Sequence, residues 1–185
     1  WTQVGSDING EADDDELGYS VSISDEGNVV AVGAHQNLTG SGYVSIYKNV
    51  NGTWTKVGTD IYGEKNGDNS GRSVSLSSDG SIVAIGANYN NGNGNGSGHV
   101  RIYKNINNTW TQIGSDIDGE AAFDQSGESV SLSADGSIVA IGSIGSNPYK
   151  RYTGESTTPE FNDNLYRGSV RIYQNDSGNW NQVGN

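Results

Sequence analysis

Carboxylates recur at fixed places along the chain. Asp7-Ile-Asn-Gly-Glu11, Asp60-Ile-Tyr-Gly-Glu64 and Asp116-Ile-Asp-Gly-Glu120 each set two acids around a glycine, and each leads to a further acid, Asp15, Asp68 or Asp124. Oxygen-rich turns of this kind suit a hard cation, because Ca²⁺ gathers roughly six to eight oxygen ligands. Only the last loop is dense enough to be a candidate, with Asp116, Asp118, Glu120 and Asp124 as the expected calcium ligands. It lacks the full spacing of an EF-hand loop. The plainer expectation for all three loops is that their acids cap turn amides and keep the loop solvated. No other cofactor is expected.

Catalysis has little to work with. There is no cysteine, hence no thiolate nucleophile, disulfide or thiolate metal site. No nucleophile elbow or phosphate loop occurs, and the repeats bring together no His–Asp–Ser grouping. His35 and His99 fall at non-equivalent places without acids at a fixed spacing, so neither suggests a ligand or a base. Carboxylates are plentiful, but no single pair stands out as a glycosidase pair would. The chain is expected not to be an enzyme.

Three features could instead serve recognition. An insertion from Ser143 to Arg167 holds Tyr149, Lys150, Arg151, Tyr152, Phe161, Tyr166 and Arg167, together with both prolines of the chain. Long loops on β scaffolds are common seats of recognition. This near-neutral one could dock the acidic face of another copy, stack on a sugar, or merely cover an edge strand. Asn-x-Ser/Thr sequons at Asn37, Asn51, Asn95, Asn107 and Asn175 would be glycan acceptors in a secreted protein. Asn51, Asn107 and Asn175 are read as one equivalent turn. Trp1, Trp54, Trp110 and Trp180 recur at a fixed place, which favours packing between repeats over a carbohydrate platform.

All of these features ride on a threefold repetition. Trp1-Thr-Gln-Val-Gly-Ser-Asp-Ile8 returns from Trp54 and again from Trp110, at periods of 53, 56 and then 70 residues to Trp180. Such self-similarity marks an array of supersecondary units that bury their faces against one another. Repeat 1 spans 1–53, repeat 2 spans 54–109 and repeat 3 spans 110–179, with 180–185 opening a further copy. Within repeat 2, Trp54-Thr-Lys-Val57 and Ser73-Val-Ser-Leu-Ser77 alternate as half-buried strands do. Ser78-Asp-Gly80 is a tight-turn signal, Ile82-Val-Ala-Ile-Gly86 a strand covered on both faces, and Val100-Arg-Ile-Tyr103 the last strand. No helical periodicity appears. The fold class is therefore all-β, as tandem four-stranded antiparallel blades.

Net charge is −12 with ten Lys and Arg against 22 Asp and Glu. Nucleic acid is excluded as a partner, because phosphate binding needs clustered bases. No apolar stretch approaches the ~20 residues of a membrane span, so membrane insertion is not expected. The chain lacks methionine and opens on Trp1; its ends are taken as arbitrary.

Gly18-Tyr-Ser-Val21 with Val29-Val-Ala-Val-Gly-Ala34 and Gly42-Tyr-Val-Ser-Ile-Tyr47 recurs from Gly71, Ile82 and Gly98, and from Gly127, Ile138 and Gly168. The pattern resembles the FG-GAP repeat of integrin-α-type β-propellers. The family's Phe is replaced by Leu17, Ser70 and Ser126, and its calcium loop by the short turns at Ser24, Ser78 and Ala134. The resemblance implies propeller blades and extracellular adhesion or recognition, without the family's metal sites. Propellers typically need about four to eight blades, so three must belong to a larger propeller or assembly, or form a threefold β-prism or β-trefoil. The expected function is a non-catalytic extracellular or cell-surface structural and adhesion module. Its expected partners are other copies or further repeats, associating through the edge strands of Trp1, Val4, Trp180 and Val183. The alternative is a lectin-like propeller that binds glycans.

Overall fold

The computed structural model describes residues 1–36, 40–145 and 168–184. Among these there is no helix; fourteen strands form three antiparallel sheets. The first blade runs β1 (Ser20–Ile23), β2 (Val29–Ala34), β3 (Tyr43–Val50) and β4 (Thr53–Lys56). A short β5 (Ile61–Tyr62) pairs with the free start of β3. The second blade repeats this with β6 (Ser70–Leu76), β7 (Ile82–Ala87), β8 (His99–Ile106) and β9 (Thr109–Gln112), and β10 (Ile117–Asp118) pairs with β8. The third has β11 (Ser126–Leu132), β12 (Ile138–Ser143), β13 (Ser169–Asp176) and β14 (Asn179–Gln182).

Blade and sequence repeat are out of phase by one strand. Asn51 and Gly52 both take positive φ (53° and 86°), the two-residue hairpin geometry that matches strand twist. They fold the Trp54 strand back on β3, as the last strand of the first blade. Asn107 with Asn108, and Ser177 with Gly178, do the same in the other two blades. Trp180 therefore does not open a fourth unit. Its strand pairs with β13, and Val183 donates its amide to the Ile172 carbonyl at 2.7 Å. Trp1 lies outside any strand and is fully exposed. Of the two edge strands expected at residues 1–4 and 180–183, the first forms no strand and the second is the outer strand of the third blade.

The blades stack face on face. Val29, Ala31, Val44 and Ile46 of the first blade pack with Val74, Leu76, Val83, Ile85 and Tyr103 of the second. Ala84, Val100 and Ile102 on the second blade's other face meet Val139 and Ile141, with Val130, Leu132 and Tyr173 alongside. The Gly-x-Ser-Val-x motif supplies a polar zipper beside this apolar contact. Ser20 Oγ donates to the Gly71 carbonyl and Ser22 Oγ accepts the Leu76 amide, at 2.8 and 2.9 Å. Ser73 and Ser75 repeat both bonds to Gly127 and Leu132 at the next interface.

Candidate functional site

The linkers that leave each Trp strand carry the acids, and they do not build one calcium loop. Asp15 accepts the Ala12 amide, Asp68 the Lys65 amide, and Asp124 the Glu120 and Ala121 amides, all at 2.9–3.1 Å. These are turn caps. Glu120 pairs with Arg171 at 2.5 Å, and the same guanidinium lies 3.8 Å from Asp124. Asp116 turns the other way, accepting Gln112 Nε2 at 2.7 Å and facing His99. Asp118 sits opposite His99 in the β10–β8 pair, and burial raises its carboxyl above the usual range. Asp116 and Asp118 thus lie toward His99, while Glu120 Oε2 and Asp124 Oδ2 serve Arg171 and the turn amides.

A different grouping takes their place. Among the described residues Glu64, His99 and Asp116 bring ligand atoms within 4.8 Å of one another. Sequence spacing offered neither histidine a partner acid, yet in space His99 has Glu64 and Asp116 beside it. Glu64 follows β5 and Asp116 precedes β10, so two successive linkers converge on the start of β8. The signal missed was the split third strand, whose second half pairs with the Trp strand while its first half pairs with the next linker. Burial, then the nearby Arg101 charge, lowers the His99 pKa and keeps the ring neutral. His35 stacks on Tyr19 at 3.8 Å and lies 3.3 Å from Glu16.

The first blade handles the equivalent acids with a lysine. Lys56 Nζ lies 2.6 Å from Glu11 and 2.7 Å from Asp60. Burial disfavours the ammonium, yet these two hydrogen-bonded carboxylates outweigh that and hold its pKa above the ordinary value. Asp135, in the turn after β11, accepts from Ser133 and Ser137 and has its carboxyl lowered to about 2. Its oxygens serve the turn.

Two repeat-equivalent clefts flank the Trp strands. One, about 300 Å³, is lined by Asp7, Asn9, Tyr47 and Trp54 among others; the second, about 390 Å³, by Asp116, Asp118, Tyr173 and Trp180. Each indole also has a packing role: Trp54, Trp110 and Trp180 donate Nε1–H to the carbonyls of Val4, Val57 and Ile113 at 2.9 Å.

Of the sequons, Asn51, Asn95 and Asn107 are exposed. Asn175 is not their equivalent: it faces Trp180 as Asn49 faces Trp54, and its Oδ1 accepts the Gly178 amide. Ser177 takes the place of Asn51 and Asn107. Asn37 and the candidate binding residues Tyr149, Lys150, Arg151, Tyr152, Phe161, Tyr166 and Arg167 lie outside the described residues. Ser143, expected to start the insertion, still belongs to β12.

No protein-family model and no curated protein sequence matches the chain. Among solved structures it is similar to a candidate 6-phosphogluconolactonase from Bacteroides uniformis, at 14% identity and a TM-score of 0.54, over 89% of this chain and 39% of that one. A second, from Bacteroides fragilis, matches at 13% identity and 0.54, over 88% of this chain and 36% of that one. Saccharomyces cerevisiae Sqt1 matches at 14% and 0.53, over 93% of this chain and 36% of that one. The chain spans less than two-fifths of the length of each of these proteins. At such identities the likeness shows the fold alone, and that fold is an all-β array of β-propeller-like blades.

Proposed function

We propose that this chain is a non-catalytic structural and adhesion module of an extracellular or cell-surface protein, whose three blades are completed by further blades of the same repeat. The observation that carries this reading is the state of its two end faces. Val170 is 70% exposed, whereas the equivalent Val44 and Val100 are 0% exposed. Ile172 is 44% exposed, against 1% for Ile46 and Ile102. At the other end Val21 and Ile23 stand open where Val74 and Leu76 are buried. Ser129 and Ser131 are exposed on the third blade, at the places where Ser20 and Ser22 reach the second. The trailing face of one copy thus matches the leading face of another, apolar contacts and serine zipper alike. Association is face to face, in place of the edge-strand exchange expected from the sequence, and a head-to-tail contact closes a ring or runs on as a fibre.

The resemblance to FG-GAP repeats supports adhesion and an exterior location, and the exposed Asn51, Asn95 and Asn107 would then accept glycans. The lactonase names of two structural neighbours belong to those proteins; hydrolysis of 6-phosphogluconolactone by this chain would overturn the non-catalytic reading. In sedimentation, Val21→Lys and Ile172→Glu are each expected to abolish self-association while leaving the circular dichroism unchanged. Association that survives both changes refutes the proposal.

A second reading is favoured by the paired clefts. An indole, a phenol and carboxylates at repeat-equivalent places suit a sugar ring, and weak equivalent sites gain avidity. On a glycan array this reading expects binding that Trp54→Ala and Trp180→Ala weaken. A featureless array contradicts it.

A further inference from the structure

We propose that Glu64, His99 and Asp116 form a binding site for a divalent transition-metal ion of the Zn²⁺ type, held between two successive linkers. The repeat itself carries the argument. In the first blade the acid pair Glu11 and Asp60 is bridged by the Lys56 ammonium at 2.6 and 2.7 Å. In the second blade the equivalent acids are Glu64 and Asp116, and the lysine is replaced by Gln112, which carries no charge. Gln112 satisfies Asp116 Oδ1 at 2.7 Å and leaves Oδ2 to face inward. In the place of Tyr43, whose hydroxyl donates to Asp15, stands His99.

His99 is only 1% exposed, and neither ring nitrogen makes a hydrogen bond. Nδ1 lies 3.4 Å from Asp116 Oδ2 without the alignment a hydrogen bond requires. A buried imidazole with both nitrogens unmet is costly. Ligand bonds of about 2.0–2.1 Å in a tetrahedral shell place neighbouring ligand atoms roughly 3.3 Å apart, close to this separation. One imidazole nitrogen and two carboxylates leave one position for water, and a borderline nitrogen/oxygen set favours Zn²⁺ over Ca²⁺.

The charges agree. Glu64, Asp116 and Asp118 act on His99, and among the described residues the cation acting on the ring is Arg101. Arg101 Nη2 donates to the Tyr62 carbonyl at 2.7 Å, while Nη1 remains 3.9 Å from Glu64. Three carboxylates against one guanidinium leave an excess that a divalent ion neutralises. A bound ion would tie the linker after β5 to the linker before β10, stapling the flank of the second blade.

Calorimetric titration of the metal-free chain with Zn²⁺ tests the site. One ion per chain is expected, undisturbed by equimolar Ca²⁺, with a rise in the thermal midpoint as the ion binds the folded form. Co²⁺ is expected to give the visible absorption of a tetrahedral centre. His99→Gln should weaken binding more than about tenfold. Glu64→Gln should do likewise; Glu64 is exposed, so that variant reads the site without touching the core. Absence of stoichiometric Zn²⁺ binding overturns the proposal, as does binding that both variants leave unchanged.

Discussion

Ile102→Ala is expected to lower the unfolding free energy by about 2–5 kcal/mol, and Ile172→Ala by no more than about 1 kcal/mol. The two isoleucines occupy the same place on the third strand of successive blades, opposite Ala84 and Ala140 respectively. Their chemistry and local backbone are alike. What differs is the neighbour: Ile102 is 1% exposed against the third blade, while Ile172 is 44% exposed on an open face. Truncating Ile102 loses transfer energy and leaves a cavity between two sheets that cannot easily close on it. Truncating Ile172 removes surface that water already touches. Urea denaturation of dilute chain, followed by tryptophan fluorescence, measures both. Equal losses would mean that the blades are not stabilised by stacking, which the nearest-neighbour energetics of repeat arrays require.

Gly86→Ala is expected to destabilise by about 1–3 kcal/mol or more, through overpacking with no room to relax. A Cβ at Gly86 would stand 2.1 Å from the Gly127 carbonyl oxygen and 2.4 Å from Ser73 Oγ. The first obstacle is backbone, held by the same Ser73 hydroxyl that zips the second blade to the third. Gly127 makes that approach from a bulge at φ 84°, where the register of β11 shifts between Ser126 and Ser129. Gly142 tests the logic from the opposite side. It is equivalent to Gly86, but the nearest atom to its Cβ is the hydroxyl of Ser129 and no following blade approaches. Gly142→Ala should therefore cost less. Thermal midpoints of the two variants measured side by side decide the point, and a larger loss at Gly142 would contradict the stacking geometry.

Much of the blade is legible in the sequence because its strands obey local rules. Ile82-Val-Ala-Ile-Gly86 is covered on both faces and reads as a continuous apolar run, while Ser73-Val-Ser-Leu76 alternates. What escapes a linear reading is pairing that the chain makes twice. Strand β3 gives Tyr47–Val50 to the Trp strand and Tyr43–Val44 to the next linker, and nothing in its own residues announces the division. Placing the blade boundary at Trp54 followed from treating the repeated tryptophan as a beginning. The Asn51-Gly52 pair just before it is a strong hairpin signal and marks the tryptophan strand as an ending. The expected calcium set is divided between two blades for a related reason. Asp116 and Asp118 point back to the start of β8, whereas Glu120 and Asp124 meet Arg171 of the third blade, so neighbours in sequence serve different blades. His99 was missed because its acids come from linkers on either side of it in the chain.

On the proposed function, both end faces of this three-blade array receive another blade of the same repeat. Light scattering of the purified chain at micromolar concentration tests it most directly. A mass of at least twice 19.5 kDa is expected, from a two-chain ring or a distribution of longer assemblies, falling to 19.5 kDa in the Ile172→Glu variant. A single sharp species at 19.5 kDa for the unaltered chain would contradict it, since Val21, Ile23, Val170 and Ile172 would then remain in water without a partner.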